Sequence, residues 1–179
     1  PAARQARFVR DHGLKEKDAQ VLSSERALAD YYEEVARVSG NARAAAAWVL
    51  TEVLRKVRES KDALEALPLR PERLGALIRL VDGGTISGKI AKDLFEEIYA
   101  ADQDPAEIVR ARGLEQVTDE AAIRAAVDAV VAANPDKVAA YAKGKTGLLG
   151  FFVGQVMKET GGKASPEVVN RLLKERLPN

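Results

Sequence analysis

The apolar residues of this chain recur at intervals of three and four, and the runs they form are bounded by residues that stop or start helices. That pairing of a 3.6-residue period with glycine and proline punctuation commits the backbone to a succession of short helices. Phe8 and Val9 fall in a first helix ended by Gly13. Ser23 or Ser24 can cap the next, whose Leu28, Tyr31, Tyr32 and Val35 share one face. Gly40 stops it and Asn41 caps another, with Trp48, Val49, Val53, Leu54 and Val57 on a single stripe. Pro68 and Pro71 mark a break, Pro71 at a first-turn position. Leu74, Leu77, Ile78 and Val81 continue to Gly83-Gly84, and Ser87 caps a helix holding Ile90, Ala91, Leu94, Phe95 and Ile98.

The second half repeats the signature. Asp104-Pro105 is a cap followed by a first-turn proline, and Gly113 closes that helix. Thr118-Asp119-Glu120 opens the next, with acids where the helix dipole favours them. Asn134-Pro135 is another cap and proline; Leu148 to Met157 is an apolar helix ended by Gly161-Gly162; Ser165-Pro166-Glu167 starts the last. Strand-like alternation occurs nowhere. The fold class expected is all-α. The cluster of stops and starts over 104–118 predicts a boundary, with a helical domain over 1–110 and a compact helical tail over 111–179.

Composition removes several functions. There is no cysteine, so no disulfide scaffold, thiol nucleophile or thiolate metal site, and the one histidine, His12, excludes a two-imidazole site. Lys and Arg number 28 against 27 acids, a net charge of +1, so any nucleic-acid site must come from local patterning. No apolar run approaches the roughly 20 residues of a membrane span, and no signal-peptide core follows Pro1-Ala2-Ala3-Arg4. A cytoplasmic protein without membrane contact is expected, and a chain opening at Pro1 reads as a piece of a longer one.

Catalytic motifs fare poorly. Gly144-Lys145-Thr146 echoes the end of a phosphate-binding loop, but such a loop needs a glycine where Ala139 stands and a strand before it. Glu33-Glu34 and Glu96-Glu97 read as solvated helix faces, and His12 reads as a helix-end residue whose charge the dipole favours. By its own residues the chain carries no catalytic constellation.

The unusual segment is KGKTGLLGFFVGQVMKETGGKAS, residues 143–165. Gly147, Gly150 and Gly154 lie within or beside an apolar helix, where each interior glycine costs up to about 1 kcal/mol relative to alanine. Something should offset them: another helix packed on a small-residue stripe, the preferred reading, or the close approach of a ligand backbone such as RNA phosphate. From 134 to 179 there are eight bases and four acids, a local charge of +4. Lys143, Lys145, Lys158 and Lys163 flank the two ends of the glycine-bearing helix, an arrangement suited to sequence-independent phosphate contacts, with a plain solvated polar face as the alternative that charge alone leaves open. Phe151 and Phe152 read as core, which disfavours base stacking and favours backbone and shape readout.

Gly144-Lys145, the run Leu149 to Lys158, Gly162 to Pro166 and Val169 to Leu173 resemble the end of the B subunit of tRNA-dependent amidotransferases, the GatB/YqeY family. Thr85 to Lys92, Asp104-Pro105, Gly113-Leu114, Arg7 to Asp18 and Leu28 to Tyr32 match further signatures in the same order. The resemblance covers essentially the whole chain. One departure lies around Trp48, where the family usually carries asparagine just before the tryptophan and glycine three after it; here Ala47 and Thr51 stand instead.

The resemblance implies an accessory, non-catalytic piece of a ligase. In that family a separate cradle domain uses ATP and magnesium to activate and amidate misacylated tRNA, with ammonia from a glutaminase partner, so no cofactor is expected in this chain. The helical and tail domains bind tRNA, the tail at the outer corner near the D loop. Carried over by position, the expected RNA-facing residues are Lys143, Lys145, Lys158, Lys163 and Gln155, with Lys89 and Lys92 in the helical domain. The expected partners are tRNA, the catalytic body, and the A and C subunits of the amidotransferase. The same module is also appended to some glutaminyl-tRNA synthetases, a second parent, and a protein-docking module is the alternative of another class.

Overall fold

A computed structural model describes residues 1–61, 63–116 and 119–178. Among them are twelve α-helices, one π turn and one 3-10 turn, and no strand, as the sequence pattern requires. Contacts divide the chain into two compact units: Pro1–Gly83 with Ala91–Arg112, and Gly84–Ile90 with Gly113–Asn179. The division is not a single cut, because residues 84–90 go with the second unit, where Gln116 N–H donates to Thr85 O.

The first unit holds α1 (Ala2–His12), α2 (Glu16–Leu22), α3 (Arg26–Ser39), α4 (Ala42–Trp48), a π turn (Val49–Val53), α5 (Leu54–Ser60), a 3-10 turn (Leu64–Ala66), α6 (Pro71–Asp82), α7 (Gly88–Ala101) from Ala91 onward, and α8 (Pro105–Arg112). Helix α3 is its axis, with Leu28, Tyr31, Tyr32 and Val35 all buried. Both tyrosine hydroxyls find carbonyls, Tyr31 donating to Leu69 O at 3.0 Å and Tyr32 to Ala42 O at 3.3 Å, so neither buried hydroxyl is left without an acceptor. Helix α6 approaches α3 so closely at Gly75 that a Cβ there would lie 2.6 Å from Val38.

Most punctuation acts as read. Gly13, Gly40 and Gly113 end their helices with positive φ. Asn41 Oδ1 accepts from Ala44 N–H, Ser87 Oγ from Ile90 N–H, and Asp104 Oδ1 from Ala106 N–H. Asp119 caps α9 by accepting from Ala121 N–H, while Thr118 of the same signature lies outside the described residues. Three caps differ. Ser23 and Ser24 do not start α3 but donate backward to Ala19 O and Val21 O, closing α2. Asn134 likewise donates to Val130 O and closes α9, making no side-chain bond to α10. The Trp48 stripe is interrupted by the π turn, with Thr51 Oγ1 donating to Ala47 O at 2.7 Å, so the two positions that depart from the family pattern bond each other.

The acid pairs are structural. Glu33 accepts from Arg4 at 2.6 Å and Arg7 at 2.5 Å, and Glu96 pairs with Arg55 and Lys56. His12 stacks on Phe8 and its Nδ1 lies 2.7 Å from the Tyr32 hydroxyl. Burial raises the Glu33 pKa, but the two guanidiniums outweigh it and hold the carboxyl below its ordinary value. Hydrogen bonds from Lys56 lower Glu96, and those from Arg70 lower Asp102. Each folded-state pKa is depressed, so these groups contribute stability above the unfolded carboxylate range and lose it as pH falls through the folded values. Melting temperature should therefore drop progressively below about pH 4.5, and Arg4→Gln with Arg7→Gln should flatten the drop; an unchanged pH profile in that variant would contradict this assignment.

The second unit contains α9 (Glu120–Ala133), α10 (Pro135–Ala142), α11 (Leu148–Glu159) and α12 (Pro166–Arg176). Helices α9, α11 and α12 pack on one another around Ile123, Val127, Phe152, Val156, Val169, Leu172 and Leu173. Arg171 pairs with Glu120, and Arg176 with Asp128, tying α12 to α9. Among the described residues no helix is long and apolar enough to cross a membrane.

Candidate nucleic-acid interface

Helix α11 turns only part of its surface to the core. Phe152 and Val156 are buried, an i, i+4 pair that fixes the inward side. Gly147, Gly150 and Gly154 lie on the opposite side by helical spacing and are exposed. A Cβ built at any of the three meets no atom within 4 Å. This corrects the packing reading: among the described residues of this unit no helix rests on the glycine stripe. The stripe is bare backbone, and the stability forfeited there is not recovered within the described residues.

The lysines bracket that face. Lys143 and Lys145 stand in the turn between α10 and α11, which bends through Gly144 at φ +105. Lys158 occupies the last turn of α11, and Lys163 follows the Gly161-Gly162 turn, both glycines having positive φ. Twelve residues at 1.5 Å each put the two pairs about 18 Å apart. Lys143, Lys145 and Lys158 are exposed and Lys163 half-buried. Among the described residues none of the four makes an ion pair, whereas Arg124, Arg171 and Arg176 of the same unit are engaged with Glu120, Glu175 and Asp128. The cations of this unit without an ion pair among the described residues are therefore its lysines: these four around α11, with Lys89, Lys137 and Lys174. Gln155 is half-buried, four residues from Phe151.

Lys89 and Lys92 are exposed on α7 without an ion pair among the described residues. Lys89 falls in the second unit and Lys92 in the first. Gly144-Lys145-Thr146 follows a helix rather than a strand, which removes the phosphate-loop reading. No group of three or more His, Asp or Glu among the described residues could hold a metal ion.

The two phenylalanines reach the core to different depths, since successive helix positions differ by about 100°, and Phe151 packs against the cluster that Phe152 enters fully. Phe152 is buried; Phe151 is only partly buried, edge-on to Phe152 with ring centres 5.5 Å apart. The Lys137 ammonium sits 4.4 Å from the Phe151 ring centre.

The model of the family described as GatB domain matches residues 30–177. The chain is 54% identical over 177 residues to the B subunit of the aspartyl/glutamyl-tRNA(Asn/Gln) amidotransferase of Methylorubrum extorquens, covering 99% of this chain and 36% of that protein. It is 49% identical to the protein of the same name from Carboxydothermus hydrogenoformans and 48% to that of Solidesulfovibrio magneticus, in each case over 99% of this chain and 37% of the relative. The chain thus spans just over a third of the length of these curated relatives.

Proposed function

The chain belongs to the GatB domain family, and we propose on that footing that it is a non-catalytic tRNA-binding module of an amidotransferase that forms Gln-tRNA(Gln) or Asn-tRNA(Asn). In this reading it holds the tRNA body by the outer corner, on the D-loop side, while a remote active site works on the acylated 3′ end. ATP and magnesium chemistry belongs to that active site, and the catalytic body with the A and C subunits are its protein partners. The name shared by the relatives supports the amidotransferase as parent over a glutaminyl-tRNA synthetase.

The observation that carries the reading is the surface of α11: a bare-backbone helix face with unpaired lysines at both ends. Phosphates approached along such a face meet positive charge at each end and exposed glycine backbone between. Contacts of that kind position RNA without reading its sequence, so recognition would follow the shape of the tRNA body.

A titration of the chain with folded tRNA at several salt concentrations, with a simple RNA hairpin as competitor, tests it. Preference for tRNA, with a log–log salt slope of about −3 for four phosphate contacts, is the expected result. Equal affinity for both RNAs, or no binding at low salt, would overturn the reading in favour of a protein-docking module.

A further inference from the structure

The Lys137–Phe151 pair sits at the edge of the lysine-bracketed face. Phe151 is three residues from Gly154, four from Gly147 and Gln155, and seven from Lys158, so these five positions share one side of α11. The ring packs against the core of the unit and is only partly buried, and the ammonium of the exposed Lys137 on α10 lies 4.4 Å from its centre. A cation–π contact at an exposed site is weak, and a lysine side chain with no ion pair among the described residues exchanges it readily for another partner. The Gln155 amide has no hydrogen-bond partner among the described residues, so its donors and acceptor are available for a base edge.

We propose that Phe151 is a stacking seat for one unpaired nucleobase of a tRNA loop. The base displaces the Lys137 ammonium from the ring, Gln155 hydrogen-bonds the base edge, and Lys137 swings to the phosphate of the same nucleotide. One residue pair then supplies what the lysine quartet cannot, a preference for RNA with a splayed loop base over plain duplex. The inference rests on the tRNA reading of the α11 face and adds its specificity element. Base stacking on an aromatic side chain is stronger than an exposed cation–π contact, and the displaced cation gains a phosphate, so the exchange runs toward the bound state.

The test compares Phe151→Leu, Phe151→Tyr and Lys137→Gln in binding to tRNA and to a blunt RNA duplex of similar length. Phe151→Leu should lose about tenfold for tRNA and nothing for duplex, and Phe151→Tyr should retain tRNA affinity. Lys137→Gln, at an exposed position where folding is not at stake, should lower the salt slope for tRNA by about 0.7–0.9, one contact. Unchanged tRNA affinity in Phe151→Leu, or an unchanged slope in Lys137→Gln, would overturn the proposal while leaving tRNA binding by the quartet standing. Failure of the unaltered chain to prefer tRNA over duplex would overturn both. Should Phe151→Leu unfold, the Lys137→Gln slope decides.

Discussion

Replacing Gly150 and Gly154 together by alanine will make the chain more stable and its grip on tRNA weaker. Both glycines are in the interior of α11, neither has a positive φ, and a methyl at either position meets nothing within 4 Å. The substitution therefore keeps the conformation and removes the helix penalty of glycine, about 1 kcal/mol each. For a domain of 60–100 residues that is a rise of about 4–8 °C in melting temperature per kcal/mol. The same two methyls stand on the face where RNA backbone is to lie against bare helix, and the affinity loss should be about tenfold, or about 1.4 kcal/mol. Opposite signs are what separate this case from an ordinary packed glycine. Gly75→Ala is the internal contrast: its methyl would sit 2.6 Å from Val38, so it should destabilise by about 1–3 kcal/mol. Circular-dichroism melts and tRNA titrations on the three variants give the result. A double variant that is more stable and binds tRNA as before would remove the glycine face from the interface.

How far the fold could be read from sequence follows from what each signal encodes. A 3.6-residue period with glycine stops places helices, and α1, α3, α6, α7, α9, α11 and α12 stand where the pattern put them. What it misses has physical causes. Serine and asparagine carry both donors and acceptors, so Ser23, Ser24 and Asn134 announce a helix end without saying which one, and here each serves the preceding helix. Seven-residue α2 is too short for its period to register. The π turn at Val49–Val53 inserts a wider turn into a stripe that still reads as continuous, because Val49 and Val53 both remain buried.

The candidate site divides the same way. That the C-terminal region is basic is written in its composition. Which of its cations are free is not, since the partners of Arg171 and Arg176 are Glu120 and Asp128, about 50 residues away in sequence. Whether a glycine stripe is covered is likewise a tertiary fact. The two phenylalanines make the same point: the pattern sends both to the core, and helix geometry buries Phe152 fully while Phe151 packs against that core and stays partly exposed.

Neutralising Lys143, Lys145, Lys158 and Lys163 together to glutamine should have the larger effect on binding and almost none on folding. Each is exposed or half-buried and none has an ion pair among the described residues, so surface substitutions here should each stay within about 0.5 kcal/mol of neutral. Four phosphate contacts carry a slope of about −2.8 to −3.6 in log affinity against log salt. Between 50 and 200 mM salt, a fourfold change, that slope is worth about 50- to 150-fold in affinity. The quadruple variant should lose this salt dependence along with most of its low-salt binding, and lose it equally for tRNA and duplex, because phosphate contacts carry no sequence information. Arg171→Gln with Arg176→Gln is the matched control. It removes two cations from the same unit but severs the ties from α12 to α9, so it should lower the melting temperature and leave the salt slope in place. If the arginine pair instead carries the slope and the lysines do not, the RNA lies on α12, and the bare face of α11 must answer to a protein.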